Sequence, residues 1–293
     1  MNLVLTVLQV VAPVFILAAG GFTWVKLGHE FRVQFVTRLA MTVAVPCLIF
    51  TALMKTEVDP KALATISLAA LAAYGALIVL FWAGTSLAGL DRRTWLAPLI
   101  FGNTGNLGLP LALFAFGQTG LGYAVVIFAV MAVLSFTFGV WVVAGGGKPW
   151  LVLKEPIVAA TLLGGLFLWQ GWQTPVWLTH TLELTGQMAI PLMLITLGVA
   201  VARLSPGRLG RSGLLALVKL GVCIAAGVGA GLLFRLDRVA FAVLVLQVST
   251  PVAVTSYMLA EKYGADAEAV AGLVVVSTVL SVAAIPLTLG FLM

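Results

Sequence analysis

Residues 102–110 read Gly102-Asn103-Thr104-Gly105-Asn106-Leu107-Gly108-Leu109-Pro110, in the middle of a long apolar stretch. Asparagine and threonine side chains form hydrogen bonds without carrying charge. Each glycine costs a helix roughly 1 kcal/mol and a proline about 3 kcal/mol. Such a segment interrupts a helix, and the free N–H groups that open the next half-helix favour an anion. Asn103 and Asn106 are spaced to share one helical face. A second stretch of this kind is Gln247-Val248-Ser249-Thr250-Pro251. Pro251 cannot donate a backbone bond, and Gln247, Ser249 and Thr250 can satisfy the carbonyls it frees or face a ligand. The chemistry on offer is non-covalent capture of a carboxylate. Asn103, Thr104, Asn106 and a broken helix end near Pro110 would grip it from one side. Gln247, Ser249, Thr250 and the end near Pro251 would complete the cradle, with Gly102, Gly105 and Gly108 allowing close backbone approach. Interhelical hydrogen bonding and tight helix packing are the competing readings of the same residues.

The elements that must position these residues are membrane helices. The chain has 293 residues, 62% hydrophobic and 9% charged, with a mean hydropathy of +1.16. That composition excludes a soluble globular domain, and the apolar runs are too long and too continuous for barrel strands. At about 20 residues per span the length allows about ten spans. They are expected at 3–25, 33–54, 62–90, 94–117, 121–145, 150–169, 181–202, 212–234, 239–260 and 267–292. The first is expected to be a retained span, since it lacks a basic leader region and a small-residue cleavage site.

Of the 16 basic residues, 12 fall on one side of this arrangement: Lys26, Arg32, Arg38, Arg92, Arg93, Lys148, Lys154, Arg203, Arg208, Arg211, Lys219 and Lys262. Lys55, Lys61, Arg235 and Arg238 fall on the other. The positive-inside rule then places both termini outside the cytoplasm, in a bacterial inner (plasma) membrane. Trp169, Trp172 and Trp177 fit an interfacial belt on the outer side. The net charge of +6 is accounted for by cytoplasmic loops and does not indicate a nucleic-acid partner.

The chain divides into two halves, 1–145 and 150–293, joined at Gly145-Gly146-Gly147-Lys148-Pro149. Pro46 and Pro191 are 145 residues apart, and Gly117 and Gly264 are 147 apart. Similar offsets predict a repeat of about five spans, and an odd number of spans inverts the second copy relative to the first. Paired breaks at mid-membrane in inverted halves favour an alternating-access carrier over a channel. No His-Glu-x-x-His, no serine–histidine pair at depth and no paired carboxylates are present in the sequence, so an enzyme is not expected. No cofactor or metal site is expected either. Cys47 and Cys223 read as small buried hydrophobes, and His29 and His180 fall in loops. Lys219 is the outlier, roughly 12 Å into the eighth span at 1.5 Å per residue. It either snorkels to the interface or supplies a counter-charge for an anion, or takes the place of a coupling cation.

The segment Asn103-Thr104-Gly105-Asn106-Leu107-Gly108-Leu109-Pro110-Leu111 resembles the fourth-span motif of the auxin efflux carrier family. Met41-Thr42-Val43-Ala44-Val45-Pro46-Cys47-Leu48-Ile49-Phe50 is similar to its second span, and Ala260-Glu261-Lys262-Tyr263-Gly264-Ala265-Asp266 to its C-terminal end. The resemblance implies an all-α polytopic membrane protein with inverted five-helix repeats. It implies scaffold helices 1, 2, 6 and 7, transport helices 3–5 and 8–10, and broken helices 4 and 9 crossing at the substrate. It further implies elevator-type transport of small organic anions and a homodimer. The linker between halves is short, as in compact prokaryotic members. The fold is shared with sodium-coupled bile-acid-type symporters, which use an acidic residue in span nine among their sodium ligands, where the comparable stretch here offers Gln247 and no carboxylate. Coupling to H+, to Na+, to the membrane potential or to nothing therefore stays open, as do substrate and direction. The expectation is a secondary carrier of small carboxylates, with a bile-acid-type symporter or an anion channel as the alternatives.

Overall fold

The computed structural model describes residues 3–55, 59–146, 156–203 and 209–292, and among these it is helical with no strand. Lys148, Lys154, Arg208, most of the 145–149 junction and the first residues of the sixth expected span lie outside the described residues. Among the described residues, six stretches are long and apolar enough to cross a membrane: Val33–Met54, Lys61–Leu87, Thr104–Ala144, Val176–Val199, Arg211–Leu233 and Ala267–Leu292. Val79, Leu80, Leu162, Leu214, Leu217, Val279 and Leu287 are exposed, an apolar surface suited to lipid rather than water.

Helix α1 is Leu3–Lys26, α2 is Val33–Met54 and α3 is Pro60–Leu87. The short helix α4, Arg92–Ile100, follows. The stretch Thr104–Ala144 is divided at Gly117, whose φ of 64° no L side chain adopts readily. Residues 104–116 form α5 and residues 118–144 form α6. Helix α7 is Pro156–Gln170, α8 is Val176–Gln187 and α9 is Ala189–Arg203. Helix α10 is Leu209–Leu233, α11 is Arg238–Val248, α12 is Val254–Tyr263 and α13 is Ala267–Leu292. Gly264 ends α12 with a φ of 68°, so both glycines of the sequence pair turn the chain in the left-handed region.

The helix starts follow from capping. Asp91 accepts from the N–H groups of Arg93 and Thr94 to open α4. Asp237 does the same for α11 with Val239 and Ala240. Two of the prolines inside helices follow wider turns. A π-turn at Ala40–Ala44 precedes Pro46, and another at Thr104–Gly108 precedes Pro110. A proline ring clashes with the carbonyl one turn back, and a π-turn opens that turn.

Helix α1 packs along α9, and α2 packs on α7 and α8. Helix α10 packs on α3, α11 and α13, and α11 packs on the stretch Leu109–Leu134. Small residues set the closest contact. A Cβ at Gly21 would overlap the Ile195 carbonyl, and one at Gly198 would overlap that of Ala18. Without a hydrophobic drive between helices in lipid, such close backbone approach is a main source of association. Gly198→Leu is expected to cost about 1–3 kcal/mol as overpacking and to lower the thermal midpoint of detergent-purified protein. Gly20→Leu, on a face of α1 with no neighbour near the new side chain, should leave it unchanged.

Candidate functional site

Helix α4 ends at Ile100 and α11 at Val248, and the chain that follows each crosses the other. Gly102 and Val252 form a single antiparallel bridge. The Asn103 N–H donates to the Pro251 carbonyl at 2.7 Å, and the Val252 N–H donates to Ser277 Oγ of α13 at 3.1 Å. These bonds settle backbone groups that have no water to turn to at membrane depth. The glycines make the crossing possible. A Cβ at Gly102 would overlap Thr250 Oγ1, and one at Gly108 would overlap Gln247 Oε1, while Gly105 faces the Phe128 ring. The close approach expected toward a ligand is therefore an approach toward neighbouring protein.

The break also lies earlier than the proline pattern implies. It spans residues 101–103, and Pro110 is buried inside continuous helix, its effect absorbed by the π-turn before it. Pro251 does sit in the second break and is buried there. Helices α5 and α12 start at the crossing without a side-chain cap, Asn103 and Ala253 being their cap positions. Two helix N-termini thus direct partial positive charge at one place.

The predicted polar residues separate into two sets. Thr250 Oγ1 donates to the Gln247 carbonyl at 2.7 Å, and Ser249 Oγ donates to the Leu246 carbonyl at 3.2 Å. Both hydroxyls cap the last turn of α11. In contrast, Asn103 Nδ2, Thr104 Oγ1 and both polar atoms of the Gln247 amide are buried without a hydrogen-bond partner. An unpaired buried polar group costs about 1–3 kcal/mol, so this cluster at one crossing makes it the candidate site. Asn106 is half-buried on the turn Thr104–Gly108, which packs on α9.

Lys219 does not snorkel. It is 2% exposed, and it is the only charged residue buried among the described residues. Its Nζ donates to the Leu99 carbonyl at 3.1 Å and lies 3.8 Å from Cys223 Sγ. The Leu99 carbonyl belongs to the last turn of α4, where the helix dipole is negative. Lys219, Ser249, Thr250, Pro251, Ser277 and Ser281 enclose a pocket of about 10 Å³, the size of one water.

The space of ligand size lies elsewhere. A cavity of about 790 Å³ opens between α2, α8 and α9 on one side and the α5–α6 turn on the other. Its polar lining is Thr51, Lys55, Gln118, Thr119, Glu183 and Gln187. None of these was singled out by sequence, although Gln118 and Thr119 follow the Gly117 turn and Lys55 is one of few basic residues on its side.

A broken crossing set among long apolar helices, with buried positive charge and no buried carboxylate among the described residues, defines the class as an integral membrane transporter. The chain matches the membrane transport protein family over residues 6–152 and 148–289, and it belongs to that family, the auxin efflux carriers. It is also 29% identical, over 298 residues, to a protein of Methanothermobacter thermautotrophicus described as an uncharacterized transporter. The alignment covers 97% of this chain and 95% of that one.

Replacing a buried charge by an apolar group of similar volume is often neutral or stabilising. Lys219→Met is thus expected to hold or raise the thermal midpoint while lowering transport about tenfold, ~1.4 kcal/mol. Paired thermal scans and uptake assays check this. A lysine that only fills space would instead lose stability and keep its transport.

Proposed function

We propose that the protein is a secondary active transporter of small organic anions, carboxylates above all, working by elevator-type alternating access. The observation that carries this reading is the sign of the crossing. Two uncapped helix N-termini and the buried Lys219 ammonium meet there, with no Asp or Glu buried among the described residues. Such a site attracts an anion and repels a cation of the same size. Asn103, Thr104 and Gln247 hold unspent hydrogen-bonding capacity beside those helix ends. They are the groups that would complete the grip, with Asn106 at the edge of the same turn. Gln247, an amide where a carboxylate would supply a cation ligand, argues against coupling to sodium.

The packing supports the moving parts this reading needs. Helices α1, α2, α7, α8 and α9 pack mainly on one another, and α3 to α6 pack with α10 to α13. In this proposal the first group is the scaffold, through which two copies associate, and the second carries the substrate. The repeated left-handed glycines and the paired breaks support inverted repeats of five spans each. The basic residues place both termini outside the cytoplasm in this reading.

Asn103→Ala and Asn106→Ala are expected to abolish carboxylate uptake or exchange in proteoliposomes, with folded protein shown by an unchanged elution profile and thermal midpoint. Transport at the wild-type rate in both variants contradicts the assignment.

A further inference from the structure

The 790 Å³ cavity has a charge arrangement that the crossing does not explain. Lys55 ends α2 as its C-cap residue, and its ammonium pairs with the Glu183 carboxylate of α8. The two side chains are 46% and 31% exposed, so the pair sits at a wet rim and not in a dry core. Among the described residues they are the charged side chains that line the cavity. The rest of the lining is mainly apolar and includes Leu113 and Phe114 of α5, Leu48 of α2 and Pro191 of α9. Leu113 stands ten residues beyond Asn103, roughly 15 Å along the helix. The cavity volume falls in the range of small-molecule sites, about 300–1,000 Å³. Gln118, Thr119 and Gln187 add neutral hydrogen-bonding groups around the rim.

A rim ion pair in water holds its partners weakly, since Coulomb gain, solvation and side-chain entropy nearly cancel. An arriving carboxylate offers the Lys55 ammonium the same chemistry as Glu183 does. The C-terminal end of α2 beside Lys55 favours a cation there whichever anion it faces. We propose that Lys55 and Glu183 form an exchangeable pair at the mouth of the permeation path, in which an incoming carboxylate replaces Glu183 on Lys55. The rest of the anion then rests against Leu113 and Phe114, on the element that leads to the crossing. Glu183 acts as a place-holder that keeps Lys55 paired when no substrate is present. This inference rests on the organic-anion reading and adds a capture site to it.

The test uses the full-length purified protein and benzoate, a carboxylate whose ring suits the apolar wall, measured by equilibrium dialysis. Lys55→Gln is expected to weaken benzoate binding roughly tenfold and Lys55→Arg to restore it, while Glu183→Gln tightens binding severalfold by freeing Lys55. The opposite signs are the signature of exchange, because a purely structural pair makes both neutral variants equally harmful. Equal weakening by Lys55→Gln and Glu183→Gln overturns the proposal, and so does benzoate binding indifferent to Lys55. Wild-type protein that binds no benzoate overturns it as well. The broader transport reading is judged separately, by carboxylate uptake in the Asn103 and Asn106 variants.

Discussion

Backbone polar groups inside a bilayer must find partners within the protein, and everything at the centre of this molecule follows from that constraint. Two helices stop among the packed apolar helices and leave carbonyls and N–H groups open. The chain answers by crossing the two open segments so that each serves the other, through the Gly102–Val252 bridge and the Asn103 N–H to Pro251 carbonyl bond. Gly102 and Gly108 are small because Thr250 and Gln247 occupy the space a side chain would need. Ser277 reaches in from α13 to take the Val252 N–H. The interruption is a joint between the two halves of the chain.

The two C-terminal helix ends at this joint are handled by different chemistry. The end of α11 is capped by the hydroxyls of Ser249 and Thr250, which are neutral. The end of α4 receives the Lys219 ammonium, a full charge set against a fractional one. In the proposed function this difference gives the crossing an excess of positive charge, to which the N-terminal ends of α5 and α12 add. A buried lysine without a carboxylate partner is an expensive residue to keep, and in the proposed function a substrate anion supplies the missing charge. Under that proposal, specificity for anions arises from the same groups that hold the joint together.

Much of this was legible in the sequence. Gly102, Gly105, Gly108 and the two asparagines announce a disrupted helix by composition alone, and Gln247 to Pro251 announce its counterpart. The structure adds that Asp91-Arg92 and Asp237-Arg238, 146 residues apart, open the two broken helices, an offset that matches the proposed repeat. The position of the first break was not legible, because a π-turn can absorb Pro110 and shift the interruption to Phe101 and Gly102. The direction of Lys219 was not legible either, since depth along a helix does not say which face a side chain occupies. Lys55 and Glu183 are 128 residues apart, and only the packing of α2 on α8 brings them to one cavity. No local pattern carries that information.

The central claim is that the crossing carries a net positive potential that selects anions. The most direct measurement compares the thermal midpoint of the purified protein with two ligands of matched size, benzoate and benzylammonium, with sodium present and absent. A ligand that binds the folded state raises the midpoint by mass action. A rise with the anion alone, the same in both salts and lost in Lys219→Met, is the result this account predicts. A rise with the ammonium and none with the carboxylate would contradict it.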